Sequence, residues 1–474
     1  MTPEPAARPA RARWWIVGAA LVALAASLVG LDARATNGAR VTADEPQYLL
    51  TAQSLADDLD LDIADEIAER AYLPYHEITI DRQTSVLDDG REVSPHDPLL
   101  PALLAIPMAV GGWALAKATL AVIAALTAAV TAWTAIRRFG VAAPVAGAVT
   151  AAAFAGIPLA AYGGQVYPEL PAALATTVAT AALLTPGPVG RRHLVVILVG
   201  IVALPWLAVK YVPVAAVLGL ALLHRTRTDR ARTVRLAVAL GMAGLAYVVL
   251  HRVWYGGWTV YATGDHFETT GEFSVVGTRV DLLGRSRRLV GLLVDREFGI
   301  AAWQPLWFVL PPALGWVAAR RSFGGWLLAG LVAVGWLNAT FVALTMHGWW
   351  VPGRQLVVVL PAAVVAVAIA LDHHRRLLVV TVLAGVAGAV NWVWLAIEAS
   401  TGRRTLVVDF WTTAALPYRA LRPVLPSGLR DDPVDVAVLV VWTIVVAVAT
   451  GAAAAVRRHS STNSGSTATG RSLI

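Results

Sequence analysis

The sequence contains no cysteine, so neither a disulfide nor a thiolate metal site can form. Lysine is nearly absent too: Lys117 and Lys210 are the only two, and arginine does the rest of the cationic work. Charge of either sign is scarce. Asp, Glu, Lys and Arg make up 15% of the 474 residues, where soluble domains carry roughly 25%. A chain with so little polar surface cannot stand in water as a globule. The net charge of +7 does not point to nucleic acid, because the basic residues fall in short clusters between apolar runs rather than on one face.

Apolar sequence fills the gap, at 57% of residues and a mean hydropathy of +0.63. Uninterrupted runs of about 18 residues or more recur, each long enough to cross a hydrocarbon core. Arg13-Trp14-Trp15 and the run to Gly30 have the outline of a secretory signal, but the many later spans favour a retained first helix. The predicted fold class is therefore all-α. It is a polytopic membrane protein with about 11–13 transmembrane helices, about twelve being the best count.

Basic clusters set the topology. Arg8, Arg11 and Arg13 place the N-terminus in the cytoplasm by the positive-inside rule. Spans follow at 14–31 and 114–136, then one ending near Tyr162 and one from Pro168 to Arg191-Arg192-His193. The stretch 194–223 reads as two short spans with an outside turn holding Lys210. Further spans fall near 236–254, 301–319, 322–345, 353–371, 377–397 and 434–456. Residues 97–110 are apolar but short and proline-bounded, which suits an interfacial helix. The inside ends are basic, at Arg137-Arg138, His224 to Arg235, Arg320-Arg321, His373 to Arg376 and Arg457-Arg458-His459. Nearly every acid falls in the outside loops 32–112, 255–300 and 399–433. Residues 1–458 thus read as one multi-pass domain of the cell (inner or plasma) membrane, with both termini cytoplasmic and the chemistry outside. The Ser/Thr/Gly-rich tail 459–474 is expected to be disordered.

The outside loops carry the residues worth weighing. Asp44-Glu45 precedes Tyr48, Leu49, Leu50 and Leu55 at roughly helical spacing, an amphipathic helix in the interface. With Pro46 in its first turn, Asp44 reads either as a helix cap or as a general base held at the membrane surface. Asp58, Asp60, Asp62 and Glu69 mimic calcium-loop positions, yet Ile63 stands where that loop needs glycine, which favours a solvated edge. Tyr167-Pro168-Glu169 puts a carboxylate at a span's start, either a first-turn acid or a cavity-facing one. Lys210 either snorkels to the interface or presents a fixed charge to an anionic headgroup. Arg285, Arg287 and Arg288 among leucines form a basic amphipathic helix before Asp295-Arg296-Glu297-Phe298-Gly299. Arg354 opens a helix where the dipole disfavours cations, so it calls for an anionic ligand or an acid partner.

Taken in order, these pieces resemble the glycosyltransferase C superfamily, in particular relatives of protein O-mannosyltransferases and lipid A aminoarabinose transferases. The matching segments are Asp44-Glu45-Pro46-Gln47-Tyr48-Leu49, Ser94-Pro95-His96-Asp97-Pro98-Leu99-Leu100-Pro101, Tyr167-Pro168-Glu169, Leu204-Pro205-Trp206, Asp295 to Gly299, and Gly348 to Arg354. The resemblance implies inverting transfer of a sugar from a polyprenyl-phosphate donor to an acceptor hydroxyl on a glycan, lipid or protein. It implies Asp44 as general base and Glu169 as second acid. Arg354, Lys210 and Arg296 would grip the donor phosphate, and Glu45, Tyr48, His96, Tyr167, Asp295 and Glu297 would contact substrate. A divalent cation (Mg or Mn) is compatible with the two acids. Against the bigger members of the superfamily, no large soluble C-terminal domain is expected here. Three rivals stay open: a lipid or glycan flippase or transporter, an O-antigen ligase-like glycan transferase, and a noncatalytic partner of such enzymes.

Overall fold

A computed structural model describes residues 9–258, 281–343, 345–372, 374–429 and 432–466. Among them the only paired strands are Ser85–Val86 and Glu92–Val93, a two-residue antiparallel ladder. Everything else of regular structure is helical. The first ten helices are α1 (Pro9–Val29), α2 (Glu45–Asp57), α3 (Ala64–Ala68), α4 (Leu99–Phe139), α5 (Ala143–Phe154), α6 (Leu159–Tyr162), α7 (Glu169–Leu183), α8 (Arg191–Leu207), α9 (Val212–Thr226) and α10 (Arg230–Tyr255).

Among the described residues, eight helices are long and apolar enough to cross a membrane, and α5, α7 and Pro305–Ala318 are shorter apolar helices. The 17-residue α8 brings the set to twelve, at or near the positions hydropathy predicts. The protein is a polytopic helical membrane protein. Its 41-residue α4 contains both the interfacial helix and the span expected behind it. The two are separated by a break at Gly111-Gly112, where Gly112 takes a φ of +61° open to glycine at little cost. The last helix runs from Pro433 to Ser466, into the segment expected to be disordered. Once an apolar span has nucleated a helix, each added residue brings its own hydrogen bond, so the helix runs past the apolar run. Residues 467–474, and 259–280 of the second outside loop, lie outside the described residues.

One helix organises the bundle. Arg354–Leu371 is 89% buried over its 18 residues, packed between α4, α5, α7, Leu310–Ala318 and Phe323–Leu337. Such a helix must be apolar all round, and from Gln355 onward it carries no charge. By contrast, little of the last helix and of α10 is buried, as suits helices on the lipid-facing outside of a bundle.

The two ends of the bundle differ chemically. At one pole gather the start of α2, the start of α7, the break between α8 and α9, and the start of the central helix. The basic clusters meet at the other. There Arg138 donates to the Ala181 carbonyl (2.9 Å), Arg225 to that of Thr185 (2.8 Å) and Arg232 to that of Val189 (2.6 Å). Arg457 lies over the Trp316 ring at 5.4 Å.

Gly353 sets the direction in which the central helix begins. Its φ is +83°, and a Cβ there would sit 2.6 Å from Ile300 Cγ2 and 3.0 Å from Pro158 Cγ. Gly353→Ala should therefore lower stability by about 1–3 kcal/mol through backbone strain and overpacking. Thermal unfolding of the purified protein in detergent measures this. An unchanged midpoint would contradict the packing described.

Candidate active site

The residues at the acidic pole arrive from four separate elements. Asp44 sits at the N-cap of α2 but makes no capping hydrogen bond; Pro46 occupies the first turn, and the Asp44 carboxylate turns away from the helix. Glu169 is the first residue of α7, directly after Pro168. Lys210 lies in a 3₁₀ turn, Val209–Tyr211, where α8 has ended and α9 has not begun. Arg354 is the first residue of the central helix.

Their side chains form one chain of ion pairs. Arg354 Nη2 donates to Asp44 Oδ2 at 2.6 Å and Arg354 Nε to Glu169 Oε1 at 2.9 Å. Lys210 Nζ donates to the same Glu169 oxygen at 2.8 Å. Two acids and two bases thus cancel in a place where uncompensated charge would cost several kcal/mol. The Tyr167 ring lies 3.9 Å from the Arg354 guanidinium and the Trp350 ring 5.6 Å, so aromatic faces cover the cation where carboxylates do not. Of Glu169, 1% is exposed, and its Oε2 has no hydrogen-bond partner in this structure. That oxygen is the site's uncommitted acceptor.

Asp44 is poised differently from its neighbour Glu45. Burial pushes the Asp44 carboxyl up, but the Arg354 guanidinium and His96 outweigh it and hold the group well below the usual carboxylate range. His96 Nε2 stands 3.7 Å from Asp44 Oδ2, and its Nδ1 is 2.7 Å from Ser94 Oγ. Glu45 points into the protein, accepting from the backbone of Val166 (2.7 Å) and Thr42 (3.1 Å). Burial pushes its carboxyl up to about 7, against the opposing charge of Lys117. Glu45 therefore ties the α6–α7 loop to the loop before α2. Tyr48 completes the edge, its ring 4.5 Å from His96 and 6.5 Å from Tyr167.

Asp44, Glu45, Tyr48, His96, Tyr167, Glu169, Lys210 and Arg354 are thus brought together. Asp295, Arg296 and Glu297 form a second cluster instead. Asp295 caps its own loop through the amides of Glu297 (3.0 Å) and Phe298 (2.7 Å) and accepts from Gly428 N (2.6 Å). Glu297 accepts from Ser427 Oγ at 2.9 Å, and burial followed by the nearby Asp295 charge pushes its carboxyl up. Arg296 pairs with Asp435 and donates to the Leu425 carbonyl. These contacts fasten the last outside loop to the start of the last helix, and they border a cavity of about 280 Å³. None of the three bonds to Asp44, Glu169, Lys210 or Arg354.

Asp60 and Asp62 serve local turns, accepting from Asp62 N and Ala64 N respectively, while Asp58 gathers with Asp65 and Glu66. One set of residues was not singled out from sequence. Asp97, inside the Ser94–Pro101 segment, is 3% exposed and bonds to Tyr247, His251 and Val209. The signal was present in α10, where Tyr247, His251 and Tyr255 recur at four-residue spacing on an otherwise apolar helix.

Beside this site runs an apolar groove of about 920 Å³. Its walls are α8 (Leu198, Val202, Trp206), α10 (Leu250, Trp254) and the start of α4. Two of its lining residues, Pro98 and Trp206, lie close in the chain to Asp97 and Val209, which are bonded to each other. Fold and site define a polytopic helical membrane protein with a charge-balanced polar centre at one pole and an apolar groove between α4, α8 and α10. No protein-family profile and no curated protein matches the sequence. Two crystal structures of ArnT from Cupriavidus metallidurans resemble the chain, one bound to undecaprenyl phosphate and one in the apo state. Each is 16% identical with a TM-score of 0.47, over 92% and 94% of this chain respectively and 77% of the other. At that identity and score the similarity assigns neither family nor substrate.

The electrostatics give a stability test. Because the folded protein holds the Asp44 carboxyl below its ordinary range, ionised Asp44 stabilises the fold above about pH 4. That contribution is lost as pH falls below this range. Asp44→Asn should be less stable than wild type at neutral pH, and the two unfolding midpoints should converge as the solution is acidified. A gap that stays constant with pH would contradict the pairing.

Proposed function

We propose that the chain is a membrane glycosyltransferase of the GT-C type. It would move a sugar from a polyprenyl-phosphate donor to an acceptor hydroxyl, with inversion at the sugar carbon. The observation that carries this reading is the buried Asp44–Arg354–Glu169–Lys210 chain of ion pairs, in a bundle that also has an apolar groove. A polyprenyl tail fits the groove, and its phosphate then meets two cations. The basic clusters lie at the opposite pole, so the positive-inside rule puts the site on the extracytoplasmic side.

The chemistry follows from the charges. The acceptor oxygen attacks the anomeric carbon and the bond from that carbon to the phosphate oxygen breaks. The phosphate leaves as a dianion, which Arg354 and Lys210 stabilise more strongly than the donor's single charge. The hydroxyl proton passes to a carboxylate, the role we give Asp44. In the resting site Arg354 makes Asp44 a poor base. A phosphate that draws the guanidinium towards itself releases the carboxylate and makes it a better one, so donor binding would switch on the base. Glu169 Oε2, buried and unpartnered, is placed to accept from the acceptor and orient it. Glu169 Oε2 and the second oxygen of Asp44 are also the ligands this site could offer a divalent cation. Such a cation would add positive charge beside the phosphate, where Arg354 and Lys210 already supply it. Asp295, Arg296 and Glu297 would act on the acceptor side through the neighbouring loop.

Asp44→Asn should abolish transfer from a lipid-linked sugar while leaving binding of polyprenyl phosphate, followed by native mass spectrometry, within severalfold of wild type. Full transfer activity in this variant would sink the base assignment. Movement of labelled lipid across proteoliposomes with no product formed would identify a flippase instead.

A further inference from the structure

Helix α10 is attached to the rest of the bundle by a single stripe. Only 11% of its most apolar stretch is buried. Tyr247, His251 and Tyr255 stand one above another on one face, with ring centroids 3.9 Å and 5.2 Å apart. All three hold the segment ahead of α4. The Tyr247 hydroxyl donates to Asp97 Oδ1 (2.8 Å), His251 Nε2 lies 3.0 Å from the same oxygen, and the Tyr255 hydroxyl donates to the His96 carbonyl (3.1 Å).

His251 Nδ1 is 2.8 Å from the Tyr247 carbonyl, which fixes the ring between its own helix and Asp97. The other Asp97 oxygen, Oδ2, accepts from the Val209 amide at 2.9 Å, at the start of the turn that presents Lys210. Asn338 Nδ2 holds the Lys210 carbonyl from another helix at 3.1 Å. One carboxylate therefore joins α10 to the Lys210 turn.

The same residues back the wall of the apolar groove. Trp206 lines the groove, and its ring lies 5.1 Å from Tyr247, 5.2 Å from His251 and 5.8 Å from Trp254, itself a lining residue. We propose that Asp97, with His251 and Tyr247, positions Lys210 according to whether the groove is filled. A chain lying in the groove presses on the two indoles. These bear on His251 and Tyr247, which hold Asp97 Oδ1, and Asp97 Oδ2 fixes Val209. These residues act through Lys210 and do not touch the reacting atoms. The inference rests on the reading of the groove as the seat of a lipid.

Lysine scarcity makes this measurable. Lys117 is 1% exposed and Lys210 is the only other lysine, so amine labelling read by peptide mass spectrometry reports on Lys210. The probe is a long-chain polyprenol without phosphate, added to the full chain in detergent. It should slow Lys210 labelling by about fivefold or more, the lower end of coupling between sites. In Asp97→Asn the polyprenol should still bind, by native mass spectrometry, and the slowing should vanish. His251→Gln serves as the second variant if Asp97→Asn does not fold. The inference is overturned if wild type fails to bind polyprenol, if it binds without changed labelling, or if the slowing persists in the variants, which would mean direct shielding. Because the probe carries neither phosphate nor sugar, coupling without any sugar transfer would overturn the transferase reading alone. Transfer without coupling would overturn this one alone.

Discussion

A guanidinium buried at the head of the central helix is the constraint on which the rest of the structure turns. Arg354 opens a helix whose dipole opposes a cation, inside a bundle that opposes any charge. It is tolerable there only because Asp44 and Glu169 reach it from two other helices and Tyr167 covers its face. Those demands fix the start of α2, the start of α7 and the approach of Lys210. They also explain Gly353, since a side chain on the residue before Arg354 would collide with Ile300. Stability and reactivity share the same atoms: the carboxylate that neutralises Arg354 at rest is the one given the role of base.

Much of this was legible in the sequence, for physical reasons that differ by residue. Helix positions were readable because apolar runs of membrane length leave little choice of structure, and arginine clusters separate one end of each span from the other. Asp44, Glu169, Lys210 and Arg354 stood out because charge beside a membrane span is costly and demands a partner. Which partner each takes was not readable, because the pairs are separated by up to 310 positions and one-dimensional patterns hold no such distances. Asp44 shows the limit well: spacing alone favoured a cap and a base about equally, and nothing in it shows that the side chain makes no capping bond.

Asp97 and Arg296 show two limits of one-dimensional reading. Asp97 was overlooked since it lies within a proline-rich segment and its partners Tyr247 and His251 sit on a helix that looks wholly lipid-facing. Arg296 was grouped with the phosphate-gripping cations on resemblance, whereas its guanidinium is taken up by Asp435 and the Leu425 carbonyl. A basic residue in a conspicuous motif is as often a fastener between loops as a ligand, and the acid that claims it decides which.

The exact balance of two acids against two bases has a kinetic side. A site whose charges sum to zero casts little field beyond its own walls, so it cannot draw an ionic molecule from bulk solution. On the proposed function its visitors would come by another route, through the bilayer and along the apolar groove. Encounter then becomes a matter of lateral diffusion and partitioning within the membrane plane. Its rate should respond to how much amphiphile the leaflet holds and hardly at all to the ionic strength of the water outside.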